Sequence, residues 1–169
     1  MYVNYQQRVR LFITTIAILI IGGGMPRGKR NITHIFIHHS ATPRDTTEHD
    51  AVKRYHVEER GWSDIGYHYT IDHAGVVRKG RKDNTIGAHV KNHNKKSLGI
   101  CLFGNFENEN PSKQQIDALI PLLQELQKKY KVPAGHILAH KDKGNTDCCG
   151  KNLYGLLPWV RTQLQQNPQ

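Results

Sequence analysis

Two short runs in this chain are apolar, β-branched and finished by histidine: residues 32–38 read ITHIFIH and residues 136–140 read HILAH. Apolar residues alternating with Thr and His, rich in β-branched and aromatic types, are the pattern of a strand. A strand's last side chain is held by the sheet yet stands where solvent begins, which suits a site built on rigid elements. His38 and His140 therefore become candidate functional residues before any other histidine in the sequence.

The stretches around these runs alternate strand-like and helical patterns, which predicts an α/β domain. Pro43 and Asp45 form a turn, and Thr46 or Thr47 can cap a helix reaching about Glu59, with Val52, Tyr55 and His56 on one face and Gly61-Trp62 at its end. Residues 67–72 and 76–79 flank Asp72-His73-Ala74-Gly75, a hairpin turn with Gly where positive φ is needed. Residues 97–103 (SLGICLF) read as a buried strand. Residues 111–130 read as a helix capped by Ser112, with Ile116, Leu119, Ile120, Leu123 and Leu126 as its apolar stripe. Residues 152–165 read as a last helix, with Pro158 at a kink or restart. One domain over residues 26–165 is expected, followed by a tail at 166–169.

Residues 1–25 are of another kind. Arg8 and Arg10 precede the run LFITTIAILII at 11–21, and three glycines follow. That is the layout of a secretory signal or membrane anchor. At 1.5 Å per residue the run is short for a hydrocarbon core of ~30 Å. Three readings stay open: export or membrane association through residues 11–21, a cytoplasmic product starting at Met25, or a buried N-terminal strand. Export to a periplasmic or extracellular site is the expectation carried forward.

The formal net charge of +10 fits an anionic partner or simple solubility. The Lys and Arg residues are scattered, the densest group being Arg78, Lys79, Arg81 and Lys82, and no nucleic-acid-binding module is recognisable. Nucleic acid is not an expected partner. Three cysteines, Cys101, Cys148 and Cys149, make a poor disulfide framework, so a metal or redox role for a thiol is the question they raise.

Cys148 follows His140 by eight residues, in a loop just before the last helix. Two imidazoles and a thiolate are a donor set that zinc accepts, and three protein ligands leave a fourth position for water, as catalytic sites do. A closed structural site would need His39 or Cys149 as a fourth ligand, and neighbours along a strand point in different directions.

The segments IFIHHSAT (35–42), GWSDIGYHYTI (61–71), IGAHVKNHNKKSLGICLFG (86–104), LAH (138–140) and TDCCG (146–150) resemble, in order and spacing, the superfamily of N-acetylmuramoyl-L-alanine amidases and peptidoglycan recognition proteins. The likeness runs from about Ile32 to Trp159, and amidase-type phage lysozymes and catalytic recognition proteins are the nearest branches. It implies a central mixed β-sheet flanked by helices, with zinc in an open cleft held by His38, His140 and Cys148. It also implies a peptidoglycan substrate cut between N-acetylmuramic acid and L-alanine, in the manner of an endolysin or autolysin acting as a monomer. Tyr67 and Thr146 take the catalytic positions, Tyr67 beside the attacking water or the oxyanion. His68, His89 and Asn94 fall in segments that line the substrate groove.

The chain departs from the family pattern at Cys149, where proline is usual. Cys101 stands where the cytosolic recycling branch has Glu, which disfavours that branch. A recognition module that binds muropeptides without cutting them is the alternative. Such modules commonly lack the ligand cysteine that this chain has.

Overall fold

Alternation along β1 (His34–His39) sorts its side chains onto two faces of a sheet, and the rest of the fold follows from covering each face differently. The structure, a computed structural model, describes residues 30–43 and 48–166. The segment 1–25, the Thr46 and Thr47 caps and the end of the tail lie outside the described residues.

Five strands form one mixed sheet in the order β3-β2-β4-β1-β5. β4 (Ser97–Leu102) lies parallel to β1, with His38 opposite Cys101, and parallel to β2 (Tyr69–Ile71) on its other side. β5 (Ile137–Ala139) runs parallel to β1 at one edge, and β3 (Val77–Lys79) closes the other edge antiparallel to β2. The hairpin between β2 and β3 turns where the sequence predicts, with Gly75 at φ +83 and the Asp72 carboxylate accepting from the Val76 amide.

Ile35, Ile37, Leu98, Ile100, Leu102, Ile137 and Ala139 face one layer, where α2 (Lys113–Tyr130) and α3 (Lys151–Gln166) complete the main apolar core. Their full burial makes each a large contributor; truncating Ile35 or Ile37 to Ala costs about 2–5 kcal/mol. Ser112 caps α2 in a capping box with Gln115. The buried stripe of α2 is Gln115, Leu119, Leu122, Leu123 and Leu126, so it is rotated from the expected one, and Ile116 and Ile120 sit at its margin. Gln115 is tolerated inside because its side-chain amide donates to the carbonyls of Ile71 and Phe103. α3 runs continuously through Pro158.

The opposite face carries His34, Phe36 and His38. It is covered by the 80–96 segment and flanked by α1 (His49–Arg54), which continues as a π-helical stretch, Tyr55–Glu59. Arg30 fastens the 80–96 segment: its guanidinium donates to the carbonyls of Asp83, Thr85, Asn94 and Ser97 at 2.6–2.9 Å. Among the described residues, no helix is long and apolar enough to cross a membrane.

Candidate metal centre

β1 and β5 lie side by side, so the residue near the end of one and the residue just past the end of the other come together. His38 stands near the end of β1 and His140 opens the 3₁₀ turn that follows β5. Their rings are 4.8 Å apart. The loop after that turn folds back, with the Lys141 amide donating to the Cys148 carbonyl at 2.7 Å, and brings the Cys148 thiol to the same point. Among the described residues, His38, His140 and Cys148 form a trio whose donor atoms lie within 4.8 Å of one another.

Cys148 Sγ is 3.6 Å from His38 Nδ1. Zinc–nitrogen and zinc–sulfur bonds of about 2.0 and 2.3 Å at a tetrahedral angle place the two donors about 3.5 Å apart. The donor set and its spacing fit a zinc ion, and His140 and Cys148 are partly exposed, leaving an open side. Gly144 makes room for the site, since a Cβ there would come within 3.0 Å of the His140 ring.

Electrostatics favour the ligating form of the imidazoles. Burial, then the neighbouring His89, His140 and His39, hold His38 well below the usual histidine range, and burial lowers His140. Both rings are neutral at pH 7, as metal ligation requires. Burial pushes the Cys148 thiol up to about 11, although the His39 amide donates to its sulfur. Its proton leaves only when a cation takes its place.

Neighbouring candidates divide cleanly. His39 points to the helix side, where its Nδ1 accepts from the Phe106 amide, and Cys149 is fully buried in the apolar core. Tyr67 lies beside the trio, its ring 5.1 Å from that of His38. Burial, then the Cys101 and Cys148 sulfurs, keep its hydroxyl protonated far above neutrality, and it hydrogen-bonds the buried Cys101 thiol. Thr146 accepts the Cys148 amide on its hydroxyl at 3.2 Å, bracing the loop that carries the thiol.

His68 is fully buried. Its Nδ1 accepts from the Gly99 amide, so its proton sits on Nε2 and is donated to the Thr85 carbonyl. Nε2 also lies 3.2 Å from the Arg30 guanidinium, and the fully buried ring presents no surface to a ligand. His89 is nearly buried, with Nδ1 at 3.1 Å from His38 Nε2. The Asn94 side-chain oxygen accepts the amides of His89 and Val90 and so holds their loop. Trp62 stacks on His56 at 4.6 Å.

A groove of about 580 Å³ opens from Tyr67 along Ser40, Pro43, Val52, Tyr55 and His56. The residue pattern puts Val52, Tyr55 and His56 on one helix face but carries no sign that the face borders this groove. Arg30 is not legible as a structural residue from the sequence. Nothing in its neighbourhood in sequence signals its role, because its partners lie 53–67 residues away.

Residues 28–151 match the sequence profile of the N-acetylmuramoyl-L-alanine amidase family. The endolysin of Klebsiella phage KP32 is 35% identical over 127 residues, 71% of this chain and 82% of that protein. The solved N-acetylmuramoyl-L-alanine amidase LysC from Clostridium intestinale superposes with a TM-score of 0.74 at 32% identity, over 80% of this chain and 86% of that one. A tyrosine-to-phenylalanine variant of Drosophila PGRP-LB, solved in complex with tracheal cytotoxin, superposes with a TM-score of 0.68 at 32% identity, over 82% and 89%.

Proposed function

The chain belongs to the N-acetylmuramoyl-L-alanine amidase family, and on that premise we propose that it is a zinc-dependent hydrolase of the bond between N-acetylmuramic acid and L-alanine in peptidoglycan. The observation that carries the reading is the convergence of the His38, His140 and Cys148 donors within 4.8 Å of one another, the His38–Cys148 pair at zinc spacing, beside a protonated Tyr67 hydroxyl at the head of an open groove.

When bound, zinc supplies Lewis-acid chemistry, acidifying a water and polarising a carbonyl oxygen. The chain's own groups do the rest. The neutral His38 and His140 rings and the Cys148 thiolate would hold the ion. Tyr67 donates its O–H to the oxyanion that develops on the scissile carbonyl, an interaction preorganised by the wall it packs against. In the structure its O–H donates to the Cys101 sulfur, so serving the oxyanion requires the hydroxyl to turn from that thiol into the cleft. The amine of L-alanine would depart with the proton that the attacking water gives up, relayed by a water on the Thr146 hydroxyl or by the Tyr67 hydroxyl, which would take up one proton as it passes on another. The groove along Val52, Tyr55 and His56 receives the substrate, and the peptidoglycan fragment bound by the PGRP-LB relative is a ligand of the class expected here. Delivery to the wall falls to the segment 11–21 by export or tethering.

Purified chain is expected to bind one zinc and to clear a peptidoglycan suspension. A chelator should stop the clearing and added zinc should restore it. Zinc uptake with sugar-chain and stem fully intact would instead identify a binding module.

A further inference from the structure

An imidazole has two nitrogens, and the arrangement round His38 decides which one meets the metal. His38 Nδ1 faces the Cys148 sulfur at 3.6 Å, and its Nε2 faces His89 Nδ1 at 3.1 Å. A hydrogen bond between two ring nitrogens needs one donor and one acceptor. If His38 Nδ1 is to present a lone pair, its proton must sit on Nε2, and His89 Nδ1 must accept it. The His89 proton then belongs on its own Nε2, a buried atom with no hydrogen-bond partner among the described residues. Among those residues, no acceptor or donor at that atom opposes this choice.

The His89 ring is also held in place. A Cβ at Gly99 would stand 2.6 Å from it, and one at Gly87 would stand 2.6 Å from its Cδ2, so two glycines form the slot it occupies. The His68 ring meets it edge-on at 5.6 Å and the Phe36 ring lies at 6.2 Å. Its amide is tied to the Asn94 side chain at 2.9 Å. A ring so confined cannot swing to a substrate without emptying the slot.

We infer that His89 is a positioning residue of the metal centre: its Nδ1 accepts the Nε2–H of His38 and fixes the tautomer that turns the His38 Nδ1 lone pair toward His140 and Cys148. The inference rests on the zinc reading of that trio. Partners that orient a metal-bound histidine typically change metal affinity by about 10–100-fold when removed.

Two measurements test it. In the native, zinc-loaded chain, imidazole nitrogen NMR should show His89 protonated on Nε2 and bare on Nδ1, with His38 protonated on Nε2. A proton on His89 Nδ1 overturns the inference, and this test needs no variant to fold. Zinc affinity by chelator competition should fall about 10–100-fold in His89→Leu, which fills the slot without an acceptor. His89→Asn, whose side-chain oxygen replaces Nδ1, should stay within about threefold of native, well inside the lower bound of that range. Native affinity in His89→Leu, or an Asn variant no better than Leu, overturns it. Native chain that takes up no zinc overturns the zinc reading as well, and is seen before any variant is compared.

Discussion

Arg30 is the residue whose removal should most disturb the wall behind the metal site. Its guanidinium makes four short bonds to carbonyls of the 80–97 segment: 2.7 Å to Asp83, 2.6 Å to Thr85, 2.7 Å to Asn94 and 2.9 Å to Ser97. Hydrogen bonds from a charged donor contribute about 1.5–3 kcal/mol each. They share one side chain and so do not add, and water can reach some of the freed carbonyls because the group is only half-buried. Arg30→Ala should therefore cost about 3–5 kcal/mol, well short of the simple sum. With unfolding entropy near 2 cal/mol/K per residue, that lowers the melting temperature by about 10–15 °C. Arg30→Lys should recover less than half, because an ammonium has three donors and no planar fork. Thermal unfolding followed by circular dichroism reads the first effect. Hydrogen exchange of the His89 and Val90 amides, which bond Asn94, reads the second, and their protection should drop ahead of the core strands. A melting point within about 3 °C of native, less than 1 kcal/mol on the same scale, together with unchanged exchange at those amides, would refute the clasp.

Tyr67→Phe should leave zinc affinity unchanged and lower turnover about 10²–10³-fold, the usual cost of losing one oxyanion donor; equal turnover would remove Tyr67 from the chemistry. The His68 site makes a pH prediction. Burial lowers its folded value to about 4 from an ordinary 6.5, so the unfolded chain binds the proton first. The stability it gives is whole above pH 6.5 and is lost as pH falls toward 4, by about 3 kcal/mol in all. Between pH 7.5 and 4.5, the unfolding free energy from urea titration should drop about 2–3 kcal/mol more in native chain than in His68→Asn, and an equal drop would contradict the assignment.

Elements whose signal is local were legible in the sequence. The alternation of residues 32–38, the Asp72–Gly75 turn and the Ser112 cap each write their conformation within a few residues; the turn and the cap stand where expected, and the strand runs from His34 to His39. His38 and His140 were readable as a pair because both sit at strand ends, and parallel neighbours bring such ends together. The rotated stripe of α2 was not readable. A polar Gln115 looks surface-bound until the Ile71 and Phe103 carbonyls that satisfy it are known. The π-helical turn at Tyr55–Glu59 has no marker in its residue types. His68 and His89 share a family segment yet differ in role, since one bonds backbone and the other bonds His38, and only the 31- and 51-residue separations of those contacts tell them apart.

Mass analysis of sacculi digested by zinc-loaded chain, set beside the same digest with Cys148→Ala, bears most directly on the three-donor centre. Free stem peptides that begin with L-alanine should appear with native chain and be missing with the variant, which should also hold no zinc. Stems still joined to muramic acid in the native digest, or equal release by a variant that keeps its metal, would contradict it.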